Sequence, residues 1–468
     1  MKTRALAAKD RRGAETFPHS IDAQRARRAP AKLFAAGLLI LCSLAQADPV
    51  GTDVAPLGRA PAAQRNWPQF HGGPTHLGVN PLERSVGPSN VRSLSLAWIN
   101  VGVSSQFGSV FRSSPAVVDG LAYFGDTDGN LYAFNANACG PGQCGPVWRA
   151  RLVQDIYSSP AVANGVLYIG TSSVEGRLFA FNAAGCGAPV CNTPLWKSVH
   201  VSITESSPTV ANGIVYVGSF GQGVYAFAAD GCGGADECAP RWIGLTSGYV
   251  NNAPTVANGI VYAGDSTGLL YAFSADGCGA PTCDPLWTGT AGAAIYASTA
   301  AVSHGVVYIG SYWDGKLNAF AADGCGAATC APLWKGNAGT YVDSSPAVAG
   351  GRVYIGSGDA QLKVFDAAGC GQATCAPLWV GMVSGSQATI ESPPMIANGV
   401  VYVGENNTQV FAFKADGCGR RMCNSIWSFI TQDPIVNSSP VMVNGTLYVA
   451  GSNFGITPEL YVFRIPGS

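Results

Sequence analysis

The chain has 468 residues, 47% of them hydrophobic and only 12% charged, a balance that supports a large core and excludes intrinsic disorder. Its 27 basic and 28 acidic side chains leave a formal charge of −1, so the chain is not one of the strongly basic proteins whose net charge points to nucleic acid.

In chain order, residues 1–47 read as an export signal. A basic lead (Lys2, Arg4, Lys9, Arg11, Arg12, Arg25, Arg27, Arg28, Lys32) precedes an apolar run from Leu33 to Ala45, and Ala45-Gln46-Ala47 offers a small-x-small cleavage site. The run is shorter than the ~20 residues that span a bilayer, so no membrane span is expected. Cys42 follows Leu41, where a lipobox needs a small residue, so a lipid anchor is not expected either. Removing the signal takes nine basic and three acidic residues (27 − 9 = 18; 28 − 3 = 25) and leaves a mature charge of −7. Residues 48–66 form a flexible linker, and 67–468 form the folded domain.

That domain is a repeat. First cysteines at Cys139, Cys186, Cys232, Cys278, Cys325, Cys370 and Cys418 are separated by 47, 46, 46, 47, 45 and 48 residues. Each is followed by a second cysteine: Cys144, Cys191, Cys238, Cys283, Cys330, Cys375 and Cys423. A period in that range marks one supersecondary unit repeated in space. Within the second copy, Ala161-Val162 is a short strand and Asn164-Gly165 a two-residue hairpin turn. Val166 to Ile169 is a second strand, Arg177 to Phe181 a third, and Leu195-Trp196 opens a fourth. Equivalent turns stand at Asp119-Gly120, Asn212-Gly213, Asn258-Gly259, His304-Gly305, Gly350-Gly351, Asn398-Gly399 and Asn444-Gly445. Eight units therefore carry the first three strands, but only seven have a following tryptophan strand. Residues 94–100, with Leu96-Ala97-Trp98-Ile99, supply the eighth. The expected fold is all-β: an eight-bladed β-propeller of four-stranded antiparallel blades, closed by the N-terminal strand and monomeric, since a closed ring leaves no edge demanding a partner.

The cysteine pairs sit between the third and fourth strands, six as C-x4-C and one, Cys232 and Cys238, with an extra residue. Structural disulfides are the favoured reading, in an oxidising periplasmic or extracellular compartment. Zinc would need four ligands from well-separated pairs, and a redox dithiol is normally spaced C-x-x-C.

The unit Ser-Ser-Pro-Ala-Val, Asn-Gly-Val-Val-Tyr-Val-Gly, Leu-Tyr-Ala-Phe and trailing tryptophan resembles the PQQ-like propeller repeat of quinoprotein alcohol dehydrogenases and of the assembly factor BamB. The lead-in Asn66-Trp67-Pro68-Gln69-Phe70-His71-Gly72-Gly73 is similar to a segment common in that group. The dehydrogenase side of the resemblance implies PQQ and a calcium ion in the central channel, an acidic base and usually a vicinal disulfide. This chain has no Cys-Cys pair and no Cys-x-x-Cys-His haem motif. Propellers host many activities, so the resemblance implies the fold more than the chemistry.

Residues just before each Ser-Ser-Pro equivalent should ring the channel mouth: Arg112, Tyr157, Glu205, Asn251, Ala297, Asp343, Glu391 and Asn437. Three carboxylates, two amides and a guanidinium suit calcium or a cationic or hydroxyl-rich small molecule. Glu205, Asn251 and Asp343 are the candidate metal-and-base set under the dehydrogenase reading; the alternative is a set of solvated loop residues. The second-to-third loops add Asp126, Asp128, Glu175, Asp265, Tyr312, Trp313, Asp314, Asp359, Glu405 and Asn406. Two motif matches are discounted. Gly264 to Gly268 fits G-x-S-x-G but joins two strands, and Gly140 to Gly145 fits G-x-G-x-x-G inside a cysteine hairpin. His71 and His76 are read as structural residues of the lead-in rather than a shared metal site. The expected role is a non-catalytic binding or scaffold protein whose loop face takes a protein or small molecule. The alternative is a small PQQ- and calcium-dependent dehydrogenase of alcohols or sugars.

Overall fold

All eight two-residue turns adopt the doubly left-handed conformation that Asn-Gly favours, as at Asn164 (φ 50°) and Gly165 (φ 77°). Each turn pins the register of a hairpin, and the hairpins build eight sheets. The computed structural model describes residues 66–101, 112–137, 145–221, 223–383, 388–435, 437–451 and 459–467. The expected signal and all but the last residue of the linker lie outside these, as do Cys139 and Cys144.

The architecture is an eight-bladed β-propeller. Blades 1 to 7 occupy residues 116–151, 161–197, 209–245, 255–290, 301–337, 347–382 and 395–430. Blade 8 takes its inner three strands from Val441–Val443, Thr446–Gly451 and Glu459–Arg464. Its outer strand is Ser95–Val101, paired antiparallel to Glu459–Arg464, with Trp98 opposite Val462 and 3% exposed.

The core lies between blades. One representative cluster joins Tyr262, Leu270 and Trp287 of blade 4 to Val307, Ile309 and Phe320 of blade 5. Gly289 on the outer strand of blade 4 is required there, because a Cβ would stand 2.8 Å from the Phe320 ring. The second-strand tyrosine of one blade reaches the next: Tyr262 Oη donates to the Ala322 carbonyl (2.8 Å), and Tyr448 in blade 8 donates to Ala136 in blade 1 (3.1 Å). The Ser-Ser-Pro motif also works between blades. Its first hydroxyl accepts from a glycine N–H twelve residues on, as Ser158 does from Gly170 (3.2 Å). Its second accepts from the preceding blade's N–H, and Ser439 N–H to Ser114 Oγ (2.8 Å) closes the circle.

Among the described residues six disulfides are formed: Cys186–Cys191, Cys232–Cys238, Cys278–Cys283, Cys325–Cys330, Cys370–Cys375 and Cys418–Cys423. The hairpins do more than the sequence suggests. The second cysteine of each lies parallel to the outer strand of the preceding blade, as Thr282-Cys283 of blade 4 pairs with Ile243-Gly244 of blade 3. Blades 3 to 6 thereby gain a fifth strand, which covers an edge that would otherwise invite pairing with another chain. The four-stranded antiparallel blades expected from the repeat are present, and the added parallel strand is lent by the next blade's hairpin.

The lead-in segment also departs from a simple entrance. Residues 67–80 run around the inside of the ring and reach every blade. Inner-strand N–H groups of Val117, Val162, Val256, Val302, Val348 and Ile396 donate to carbonyls of Trp67, Pro68, Pro74, Thr75, Leu77 and Gly78 at 2.7–3.0 Å. In blade 3 the Val210 N–H donates to Gln69 Oε1 (2.9 Å), and in blade 8 Asn80 Nδ2 donates to the Met442 carbonyl (2.8 Å). No blade strand lies on the channel side of the innermost strands, so this segment, whose Val79–Asn80 pairs parallel with Met395–Ala397 of blade 7, satisfies backbone groups that would otherwise be buried unpaired. It fills the channel as a plug.

Candidate functional site

The plug sets the floor of the site. At Phe70–Gly72 the segment makes one short turn, with His71 at φ 52°, and Phe70 projects under the loop-face mouth. His76 Nδ1–H donates to the Phe70 carbonyl (2.8 Å), and His76 Nε2 lies 2.9 Å from the Thr209 hydroxyl. His71 Nδ1 is 3.2 Å from the His76 carbonyl. Burial pushes His76 down to about 4 and, with His76 alongside, His71 down to about 3, so both rings are neutral. They brace the plug turn, and their Nδ1 atoms face backbone carbonyls rather than a common metal.

Above Phe70 lies a cavity of about 50 Å³ lined by Arg112, Tyr157, Glu205, Asn251, Ala297 and Asn437, with Asn252, Ala253 and Thr299 beneath. Six of the eight expected ring positions therefore meet at one point. Arg112 is 3.5 Å from Glu205 and lies over the Tyr157 ring at 5.3 Å. Asn251 Oδ1 accepts from the Thr204 hydroxyl at 2.5 Å. Asn437 is held at φ 59°, and its Oδ1 is buried with no partner.

Asp343 and Glu391 stand beside the cavity rather than in its lining. Asp343 Oδ1 accepts from the Ala297 N–H (3.2 Å), while Glu391 accepts from the hydroxyls of Tyr341 (2.9 Å) and Thr389 (3.1 Å). Burial, with Glu391 and Glu205 nearby, pushes the Asp343 carboxyl up to about 7 against the opposing pull of the Ala297 N–H and Arg112. Burial also raises Glu205, partly countered by Arg112. The mouth thus carries more negative charge than its one guanidinium neutralises.

An aromatic arc approaches this mouth over blades 3 to 6. Phe220 stacks on Tyr249 (4.8 Å between centroids), and Tyr249 lies parallel to Tyr296 at 6.1 Å. Tyr296 meets Tyr312 edge-on at 5.2 Å; Tyr312 in turn contacts Trp313 (4.7 Å) and Tyr341 (4.9 Å). The Tyr341 hydroxyl ends the arc on Glu391. Phe220 is 49% and Trp313 68% exposed, so the arc presents surface. Sequence reasoning named only Tyr312 and Trp313. The missing members carry a signal: Tyr249, Tyr296 and Tyr341 each stand one or two residues before a ring position.

Most of the second-to-third loop acids serve the loops themselves. Asp126 accepts from the Asn130 N–H (2.8 Å) and the Tyr132 hydroxyl (2.7 Å), and Asp265 from the Gly248 N–H (2.7 Å) and the Tyr271 hydroxyl (3.0 Å). Asp314 accepts from Ser311, Asp359 pairs with Lys363 at 2.7 Å, and Asn406 Oδ1 accepts from the Thr389 N–H. Glu405 is fully buried, with Oε2 on the Asn407 N–H and Oε1 unpartnered, and burial pushes it up to about 7.

Among the described residues the mouth does not fit PQQ. It is a flat tricarboxylate that needs cationic partners and a pocket of a few hundred Å³. The cavity is about 50 Å³, its floor is Phe70, and its guanidinium already faces Glu205. Nor do Glu205, Asn251 and Asp343 assemble as a calcium cage: Asn251 Oδ1 is occupied by Thr204, and among the described residues no three acidic, histidine or cysteine side chains converge on a metal position.

Comparison with known proteins agrees with the architecture. Residues 279–458 match the family described as "Outer membrane protein assembly factor BamB". No curated protein sequence matches the chain. Among solved structures, quinohemoprotein alcohol dehydrogenase from Comamonas testosteroni is similar at TM-score 0.64 and 14% identity, over 88% of this chain and 82% of that one. BamB from Moraxella catarrhalis is similar at TM-score 0.55 and 15% identity, over 77% and 99%. A europium-containing methanol dehydrogenase is similar at TM-score 0.60 and 12% identity, over 86% and 98%. At such identities the likeness is one of fold, and it spans scaffold and enzyme alike. Over residues 279–458 the chain matches the BamB-type PQQ-like repeat family, and the eight-bladed architecture around that stretch agrees with it.

Proposed function

We propose that the chain is an exported, non-catalytic binding propeller whose loop face takes a cationic group, from a small molecule or a partner protein, between the aromatic arc and the mouth carboxylates. The observation that carries this reading is the run of contacting rings from Phe220 to Tyr341 ending on Glu391, beside a Glu205, Asp343 and Glu391 ring short of positive charge. Ring faces attract cations through their quadrupoles, and carboxylates supply the charge. The plugged channel supports a surface site over a deep cofactor chamber. The disulfides support a periplasmic or extracellular location.

The test is a titration with tetramethylammonium and with a lysine-rich peptide, followed by intrinsic fluorescence. Saturable quenching that is lost in Trp313→Ala and Tyr296→Ala supports the reading. Absence of saturation with both probes refutes it. So does oxidation of alcohols or sugars by the purified protein once PQQ and calcium are added.

A further inference from the structure

On the opposite face, two breaks in the repeat fall in one place. Apart from blade 3, whose hairpin carries Asp236-Glu237, hairpins of other blades enclose small or neutral residues between their cysteines, such as Ala280-Pro281-Thr282 and Ala327-Ala328-Thr329; blade 7 alone has basic residues there, Arg420-Arg421-Met422. The second strand starts with an aliphatic residue in most blades (Leu121, Val166, Ile214, Ile260, Val306, Val400), but blade 6 starts it with Arg352. Arg352, Arg420 and Arg421 all line one open cleft of about 640 Å³ between blades 6 and 7, walled by Leu378 and Trp379, with Asp416 as its one carboxylate. A neighbouring cleft of about 400 Å³ shares Arg352 and Asp416 and adds Arg84.

Blade 3 shows how a charged hairpin is used structurally. Its Glu237 pairs with Arg177 (2.9 Å) and Lys197 (3.5 Å) of blade 2. Among the described residues, Arg352, Arg420 and Arg421 form no such ion pair. Their presentation is nonetheless rigid. Cys418–Cys423 closes the hairpin, the Val380 N–H donates to the Arg421 carbonyl (2.8 Å), and Met422–Asn424 pairs with Val380–Met382. Arg352 also interacts with the Tyr354 hydroxyl. A fixed backbone carrying guanidinium groups without a carboxylate partner is a preorganised receptor for oxyanions, which accept two parallel N–H bonds from a guanidinium fork.

We propose that this cleft binds a multiply charged oxyanion, phosphate or carboxylate, between Arg352, Arg420 and Arg421. The size suits a small ligand, and the site is independent of the loop face. The experiment is calorimetric titration of the intact oxidised protein with pyrophosphate and, separately, citrate, at ionic strength matched with chloride. The comparison is with Arg420→Gln/Arg421→Gln, whose exposed side chains leave the fold intact, and with Arg352→Val, which restores the aliphatic residue of the other blades. Binding of one anion that weakens at least about tenfold in both variants supports the site and names its chemistry, since a charged hydrogen bond contributes ~1.5–3 kcal/mol. Silence with both anions, or affinity unchanged in the variants, overturns it.

Discussion

Asp343→Asn tests the electrostatics of the mouth. The Asp343 carboxyl titrates at about 7 in the fold against an ordinary 3.8. At ~1.4 kcal/mol per pH unit, ionising it in place costs on the order of 2–4 kcal/mol, the higher figure being the full difference. The folded protein holds this proton after the unfolded chain has lost it. Stability therefore falls as pH rises from about 4 to about 7 and is flat above. An asparagine keeps an oxygen for the Ala297 N–H and removes the charge. The variant should match the wild type near pH 4 and exceed it by about 2–4 kcal/mol at pH 8. Urea unfolding at pH 4, 5.5 and 8 measures this, with Glu405→Gln in a double variant to remove the second carboxyl that titrates near 7. Parallel stability profiles for wild type and Asp343→Asn, or a less stable variant at pH 8, would refute the argument. A buried carboxylate that burdens its own fold is what a binding site for cations requires.

Gly78→Ala probes the plug. Gly78 sits at φ +65°, and a Cβ there would lie 2.7 Å from Ala347 Cβ and 2.9 Å from the Pro394 carbonyl oxygen. A loss of about 2–4 kcal/mol is expected from conformation and overpacking, read as a fall in Tm; an unchanged Tm counts against the plug. Tyr262→Phe removes one bond between blades 4 and 5 and should cost about 1 kcal/mol in denaturant unfolding, with the slope unchanged. Cys278→Ser/Cys283→Ser opens a small loop and should cost about 2 kcal/mol. It should also speed amide exchange at Ile243, whose N–H donates to the Pro281 carbonyl of the hairpin (2.9 Å); unchanged exchange would show that the hairpin covers the blade 3 edge without its disulfide.

Much of the fold was legible in the repeat. Period-2 strands, Asn-Gly turns and a spare tryptophan strand around Trp98 specify blade number and closure, because each is a local backbone preference or a count of strands needing partners. The mouth was legible in part. Position before Ser-Ser-Pro located Arg112, Tyr157, Glu205, Asn251 and Asn437 at one cavity, since identical blades put identical positions at equal radius. The loop acids misled: Asp126 and Asp265 look like ligands in a list of variable residues, but their oxygens are spent on nearby N–H groups and a tyrosine hydroxyl on the third strand.

By itself, then, the sequence determined the architecture, the cysteine pairing within hairpins and the register of the ring. Only the tertiary structure decided what fills the channel, what covers the blade edges and which charges stand unneutralised. The physical reason is range. Turn and strand preferences act over a few residues, whereas Pro68 meets Val162, Tyr341 meets Glu391, and Arg352 shares a cleft with Arg421, only after the blades have closed.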